Sequence, residues 1–439
     1  MRKGFIFSHN KCVSCGACSA ACILENGWSI QPRMIFTYNS DTLPSLPLTN
    51  LSLACNHCET PVCLNGCPTA SYYREPFTGA VIIDEKKCIG CKYCQWNCPY
   101  DAPKFDTENR IIGKCNLCYS GLIEGRLPAC TTACPSGALE YGELSEPILK
   151  NIPSWFPDKN LNPAIVLKGK QNNDPLRIIP GNVFEPEVPK LGAKERGMTG
   201  EWSLFAFSFL TTLSVATIIS SFINGIFPNK ILFLSVIIFA GMISLFHLGK
   251  RLRAWRAIAN VKSSPLSREI ALFIIYSVVS FFAVFFQLPG FLLASSIVGL
   301  ILLIVIDSVY IYADKRKSVI MHSGQTFLSA LLIVSFFTGI VLPFIFIALI
   351  KLAASAYSLS INKINNINFV IRFLRIALLL VTGVSLVSEI SYPDPVISSI
   401  FLTGELIDRI IFYIDFSPVN INTEIIKQIN IERNEKKRG

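Results

Sequence analysis

All sixteen cysteines of this chain lie between Cys12 and Cys134, in four groups of four. The first is Cys12, Cys15, Cys18 and Cys22. The second is Cys55, Cys58, Cys63 and Cys67. The third is Cys88, Cys91, Cys94 and Cys98, and the fourth is Cys115, Cys118, Cys130 and Cys134. No other feature constrains the fold as much, because four complete quartets with no thiol left over must be accommodated within one small region. The rest of the 439 residues is a different material, dominated by long runs of Ile, Leu, Phe and Val. Runs of about 20 apolar residues are long enough to span a bilayer. The chain is therefore read as at least two domains.

Groups one and three have the C-x2-C-x2-C-x3-C spacing of bacterial ferredoxins. Group two lengthens the middle gap to four residues and group four lengthens it to eleven. Three closely spaced thiolates can wrap one face of an iron–sulfur cube, and the fourth, three residues on, reaches the other cube of a pair. Pro68, Pro99 and Pro135 follow the last cysteine of groups two, three and four, where a short helix can begin without needing that N–H. Group one has Ile23 there. A single C-x2-C pair is compatible with zinc, and a secreted disulfide framework is a weaker alternative. Four whole quartets, three ending in Cys-Pro, favour iron–sulfur clusters over both.

Nearby polar residues carry less information. His9 and His57 read as surface residues or neighbours of the clusters rather than ligands, since each quartet is already complete. Lys11, Lys86, Lys87, Lys92 and Lys114 form either a solvated face or a set of charges that raises cluster potentials. Both readings stay open. Segments 79–84 and 137–141 read as short strands in small hairpins flanking the clusters. Prolines at eight positions between 147 and 189 mark an irregular, extended connection. Its apolar residues Trp155, Phe156, Ile165 and Val166 suggest packing along the cluster domain.

Apolar runs follow at about 203–226, 231–248, 270–288, 291–312, 325–342, 344–360, 369–388 and 396–414. The fifth and sixth adjoin at Pro343, so that seven helices are an alternative to eight. The net charge of +10 helps to decide. Residues 1–190 carry 18 Lys+Arg against 17 Asp+Glu, whereas residues 191–439 carry 22 against 13. The excess sits in short segments between apolar runs, which is the pattern of topology-setting charge and not of a nucleic-acid surface. Eight helices place Lys250, Arg251, Arg253, Arg256, Lys262, Arg268, Lys315, Arg316, Lys317, Lys363, Arg372 and Arg375 on one face. The tail residues Lys427, Arg433, Lys436, Lys437 and Arg438 join them, leaving Lys230 opposite. The positive-inside rule then favours eight helices with both termini cytoplasmic. The lack of an apolar core before Cys12 points the same way.

The first 190 residues resemble the four-cluster ferredoxin subunit of the dimethyl sulfoxide reductase family of molybdoenzymes, on all four quartets in order. From Glu201 onward the chain resembles that family's membrane anchor. The matching stretches are Glu201-Trp202-Ser203-Leu204, Phe246-His247-Leu248-Gly249, Arg253-Ala254-Trp255, Leu266-Ser267-Arg268-Glu269-Ile270, Gly404-Glu405-Leu406-Ile407-Asp408-Arg409 and Phe412-Tyr413. The family usually keeps these as separate subunits, whereas here they are fused. The resemblance implies an α+β ferredoxin-like domain with four 4Fe–4S clusters, followed by an all-α transmembrane bundle of about eight helices. The divisions are 1–145 for the cluster domain, 146–200 for a Pro-rich linker and docking segment, 201–417 for the anchor and 418–439 for a basic cytoplasmic tail. It also implies crossed ligation. Cys12, Cys15 and Cys18 share a cluster with Cys134, and Cys115, Cys118 and Cys130 share one with Cys22. Cys55, Cys58 and Cys63 go with Cys98, and Cys88, Cys91 and Cys94 with Cys67.

The membrane half contains two histidines, His247 and His322. A haem pair crossing the bilayer would need four axial histidines, so no haem is expected, and quinol must be oxidised on the face that carries the clusters. His247 ends the second helix and Glu269 begins the third. An imidazole near its ordinary pKa suits removal of quinol protons, and the resemblance favours His247 as the catalytic acceptor with Glu269 as its relay. The plainer readings are a helix cap for His247 and an ion pair to Arg268 or Arg253 for Glu269. Glu405 and Arg409, four apart on one helical face, are read as mainly structural, and Asp307 likewise.

The expected function is a multi-pass respiratory subunit of the cell inner membrane. Quinol, of the menaquinol type, gives electrons to four clusters, and a molybdopterin-containing subunit on a separate chain reduces the acceptor. The same chain running in reverse would feed quinone from a dehydrogenase. A transporter whose ferredoxin domain only senses redox state is the reading from another class. It requires charge deep inside several helices, which on the sequence only Lys351, Glu405 and a few others approach.

Overall fold

The computed structural model describes residues 2–38, 48–144, 156–157, 160–168, 183–184, 198–313, 322–361, 366–387, 394–416, 421–422 and 425. The chain divides into two compact units, Met1–Lys194 with Pro418–Gly439, and Glu195–Ser417.

The first unit is built from short elements because the cysteine loops interrupt the chain every few residues. Strand β1 (Arg2–Ser8) pairs antiparallel with β8 (Leu139–Leu144) and parallel with β9 (Ile165–Lys168). A second sheet has the order β10 (Val183–Phe184), β2 (Met34–Tyr38), β3 (Thr49–Leu53). Two hairpins, β4 (Tyr72–Arg74) with β5 (Val81–Ile83) and β6 (Lys104–Asp106) with β7 (Ile111–Gly113), complete it. The segment around Val81 does form a hairpin strand. The segment after Gly137 does not: as β8 it pairs with the N-terminal strand and so joins the two ends of the cysteine region. A pairing across more than 130 residues leaves no local turn signal, which is why the sequence suggested a hairpin there.

Each cysteine group contains or overlaps a short helix. These are α1 (Ala17–Asn26), α2 (Val62–Gly66), α3 (Tyr93–Asn97), α4 (Tyr119–Ile123) and α5 (Ala129–Thr132). In groups two to four the helix ends before the last cysteine, so Pro68, Pro99 and Pro135 open turns and not the helices expected there. The residue before α1, α3 and α4 has positive φ: Gly16 at 80°, Lys92 at 61° and Cys118 at 48°. This conformation turns the chain sharply around the sulfurs. Phe156, Ile165 and Val166 of the connecting segment are buried in this unit, whereas Trp155 lies outside the described residues. Ile421 and Ile425, beyond the last long helix, are fully buried in the same core as Phe5, Phe7 and Tyr38, and the Tyr38 hydroxyl donates to Asn422 at 2.9 Å.

The second unit holds eight α-helices among the described residues. They are α6 (Met198–Asn224), α7 (Lys230–Ser244), α8 (Pro265–Phe285), α9 (Pro289–Ala313), α10 (Thr326–Thr338), α11 (Val341–Ile361), α12 (Asn366–Val387) and α13 (Pro395–Asp415). Six of them, all but α10 and α13, are long and apolar enough to cross a membrane. The other two fall short for different reasons: α10 has only 13 residues, about 20 Å of helix, and α13 carries Glu405, Asp408, Arg409 and Asp415. The fifth and sixth runs are separate helices. Their break is at Gly339, whose φ of 72° closes α10, while Pro343 sits in the first turn of α11, where proline is tolerated.

Candidate functional site

In the first unit the thiols surround cavities instead of converging on a point. One cavity is lined by Cys55, Cys58, Cys63 and Cys98 together with Lys114. A second is lined by Cys67, Cys88, Cys91 and Cys94 together with Tyr72. Cys12 has Cys15, Cys18 and Cys134 as neighbours, and Cys22 has Cys118 and Cys130. Backbone N–H groups of Ser71, Gly90 and Leu117 each lie 3.4 Å from a thiol sulfur, those of Cys67, Cys88 and Cys115 respectively. Burial pushes the Cys22 thiol up to about 12, with Arg33 pulling the other way, and burial also raises Cys58, Cys63 and Cys91. A buried thiolate must therefore be stabilised by a cation. No three Cys, His, Asp or Glu side chains among the described residues meet as ligands of a single ion. Quartets around a cavity fit a polynuclear iron–sulfur group better than one tetrahedral zinc, whose sulfurs would all lie about 2.3 Å from a common centre. His57, Asn56 and Arg33 have buried polar atoms with no hydrogen-bond partner among the described residues, consistent with a group that offers acceptors there.

Of the five lysines near the quartets, only Lys114 is buried; Lys11, Lys86 and Lys87 are exposed and Lys92 is half-buried. The sequence reading missed Arg33, which lies outside every cysteine motif and is 1% exposed.

In the second unit, α7 gives way to a 3-10 turn at Leu245–His247, and a second 3-10 stretch covers Arg251–Ile258. His247 is half-buried at the end of the first. Ser264 caps α8, its hydroxyl accepting from the Ser267 N–H at 3.4 Å, and Ser267 donates to the Ala257 carbonyl at 2.7 Å, which fixes the basic loop. Glu269, just past the first turn of α8, is 6% exposed. Arg268 donates to the carbonyls of Val261 and Lys262. The charged neighbours of Glu269 are instead Arg409 and Asp307, with the Tyr310 and Tyr413 hydroxyls nearby.

Arg409 is the centre of that group. It donates to Ser208 Oγ at 3.0 Å and the Gly324 carbonyl at 2.8 Å, lies 3.7 Å from Asp307, and stacks 4.3 Å over Phe412. Asp307 accepts from the N–H groups of Thr326 and Phe327 at 3.0 and 3.1 Å, holding the start of α10. Tyr310 and Tyr413 share a hydrogen bond.

A second ionic group lies on α11, α12 and α13. Lys351, 0% exposed, pairs with Glu405 and lies 3.1 Å from Asp408; Arg375 reaches Asp408 at 3.0 Å. Arg372 grips both oxygens of Asp415, and His322 Nε2 meets Asp415 at 3.0 Å. Arg372 and Arg375, counted on the sequence among the charges of one membrane face, are interior ion-pair partners. Lys315, Arg316, Lys317 and Lys363 lie outside the described residues. Interior charge is also more extensive than the linear sequence suggested. Each cation comes from one apolar run and its carboxylate from another, so neither looks paired until the helices meet.

Two family models match. One is a 4Fe-4S dicluster domain, over residues 48–144, and the other is the DMSO reductase anchor subunit, over residues 197–391. A probable anaerobic dimethyl sulfoxide reductase chain of Escherichia coli is 33% identical over 199 residues, covering 42% of this chain and 97% of the relative. A tetrathionate reductase subunit of Salmonella typhimurium is 31% identical over 207 residues, 45% of this chain and 75% of the relative. A sulfite dehydrogenase subunit of Allochromatium vinosum is 34% identical over 161 residues, 31% and 67%.

Fold and site together define an iron–sulfur electron-transfer subunit of an oxidoreductase, anchored in a membrane by several helices. The chain belongs to the dimethyl sulfoxide reductase family, with the iron–sulfur subunit and the membrane anchor fused in one polypeptide.

Proposed function

We propose that this chain takes electrons from quinol in the membrane and delivers them, through four 4Fe–4S clusters, to a molybdopterin-containing catalytic subunit on another chain. The observation that carries the reading is the enclosure of cysteine quartets around cavities in a unit fused to a membrane anchor. When bound, the clusters supply a row of one-electron carriers. The sixteen cysteines hold them in the crossed arrangement set out above. Buried thiols and inward N–H groups favour that charged ligand set over an empty one.

On the membrane side, His247 accepts the first proton from bound quinol, and Glu269 relays it to water. Arg409 supplies the positive charge nearest to Glu269, with Asp307 the opposing neighbour. Replacing His247 by Ala leaves every cysteine in place. The clusters should assemble, reduction by a quinol analogue should slow by at least about 100-fold, and reduction by dithionite should be unchanged. Quinol reduction at the normal rate in His247→Ala would move the site elsewhere, with Glu405 the next candidate.

Both termini are proposed to lie on the cytoplasmic face of the inner membrane. Burial of Ile421 and Ile425 in the core of the cysteine-rich unit supports an even number of crossings over seven; eight is the count if α10 and α13 cross together with the six long apolar helices. Reverse flow, from a substrate-oxidising partner to quinone, is favoured by the relative named as a sulfite dehydrogenase subunit.

A further inference from the structure

Two full positive charges are buried inside the cysteine-rich unit without a carboxylate partner among the described residues. Arg33 is 1% exposed and Lys114 is 2% exposed. The effective cost of burying an ion is several kcal/mol, repaid only by opposite charge and hydrogen bonds. Arg33 donates to Ser52 Oγ at 3.1 Å and its guanidinium lies 4.5 Å over Phe5, but Nε and Nη2 have no partner among the described residues. The negative groups around it are the thiols of Cys130, Cys115, Cys18 and Cys22. Lys114 donates to the carbonyls of Val81 and Cys115, and its charged neighbours are Cys55, Cys63 and Cys115.

His57 lies within reach of both cations. Its Nδ1 accepts from the Val81 N–H at 3.0 Å, so the neutral ring carries its proton on Nε2, which has no partner among the described residues. Cys55 and Cys115 are themselves neighbours. The three residues therefore occupy the seam where the Cys55 quartet adjoins the Cys115 quartet.

Resting on the four-cluster reading, we infer that Arg33 and Lys114, with the neutral His57 as a hydrogen-bond donor, form a seam that raises the reduction potentials of the sites it faces: Lys114 those of Cys55, Cys58, Cys63, Cys98 and of Cys115, Cys118, Cys130, Cys22, and Arg33 the latter together with that of Cys12, Cys15, Cys18, Cys134 through Cys18. Reduction adds one electron to a site and breaks no bond. The added negative charge is stabilised by the buried cations and by the Nε2–H donor. The site of Cys67, Cys88, Cys91 and Cys94 is lined by Tyr72, over whose ring Lys114 Nζ lies at 6.0 Å, so it serves as an internal control for the Arg33 variants. These three are positioning residues, since none replaces a cysteine ligand.

The test is a redox titration of the anaerobically purified full chain, followed by electron paramagnetic resonance, for wild type, Lys114→Gln, Arg33→Gln, Lys114→Arg and Arg33→Lys. Iron near 16 atoms per chain in the wild type checks the four-cluster reading separately. Lys114→Gln should lower the reduction equilibrium of the Cys55 and Cys115 sites, and Arg33→Gln that of the Cys115 and Cys18 sites, by about tenfold, about 59 mV for a one-electron couple, and Arg33→Gln should move the control signal much less. The charge-keeping variants should restore the wild-type values. Unchanged potentials in the Gln variants, at full iron content, would overturn the inference. So would a uniform shift of all signals. If Lys114→Gln and Arg33→Gln both lost iron while the conservative variants kept it, the cations would be assembly requirements and the inference would fall.

Discussion

Replacing Lys351 by Met tests whether the ionic group on α11, α12 and α13 holds these helices together. Lys351 is fully buried, and its Nζ meets Glu405, Asp408 at 3.1 Å and Ser329 Oγ at 2.9 Å. Methionine keeps an unbranched apolar side chain out to Cε and removes the ammonium with its charge and donors. Asp408 would keep Arg375 at 3.0 Å and Ser323 at 2.7 Å. Lys351 is the partner of Glu405 in this group, so Glu405 would become an unpaired buried carboxylate. Removing one member of a buried pair costs about 3–5 kcal/mol. The reverse change, Glu405→Leu, leaves Lys351 with Asp408 and Ser329, and should cost less, about 1.5–3 kcal/mol. The double change removes both charges and should be more stable than Lys351→Met alone. A double-mutant cycle on unfolding of detergent-solubilised protein would measure this. The reasoning fails if Lys351→Met is no more damaging than Glu405→Leu, or if adding Glu405→Leu deepens the loss.

Other outcomes follow from single contacts. Glu269→Gln should slow quinol-driven reduction without altering iron content, whereas Arg268→Gln, whose guanidinium binds loop carbonyls, should leave the rate close to wild type; stopped-flow reduction compares them. A Cβ at Gly324 would lie 2.5 Å from the Asp408 carbonyl oxygen, so Gly324→Ala should destabilise the second unit by about 1–3 kcal/mol, read as a lower unfolding midpoint. Ile421→Ala and Ile425→Ala should each cost the cysteine-rich unit about 2–5 kcal/mol, read by proteolysis of that unit. Reporter fusions at Gly439 and within residues 226–231 should report opposite sides of the membrane.

The cysteine quartets were legible because metal ligation fixes spacing along the chain, and the helices because each apolar run is continuous. What the sequence hid is non-local. The partner of β8 is β1, and the burial of Ile421 and Ile425 depends on a core formed by residues near the N-terminus. Arg372 and Arg375 looked like face-setting charges because their partners Asp415 and Asp408 lie on the next helix, more than 30 residues on. Arg33 carries no motif, and only burial beside four thiols distinguishes it from a surface arginine. One signal was available: Glu405, Asp408, Arg409 and Asp415 share one largely apolar helix, and charge in such a place needs partners from neighbouring helices.

The central claim is that electrons pass from quinol to the iron–sulfur clusters within this one chain. Anaerobically purified full-length protein, mixed with a menaquinol analogue and followed by electron paramagnetic resonance, tests it most directly. Quinol should develop cluster signals that also belong to the dithionite-reduced set, and a quinol-site variant such as His247→Ala should lose the first response and keep the second. Signals that dithionite raises and quinol never does would contradict it.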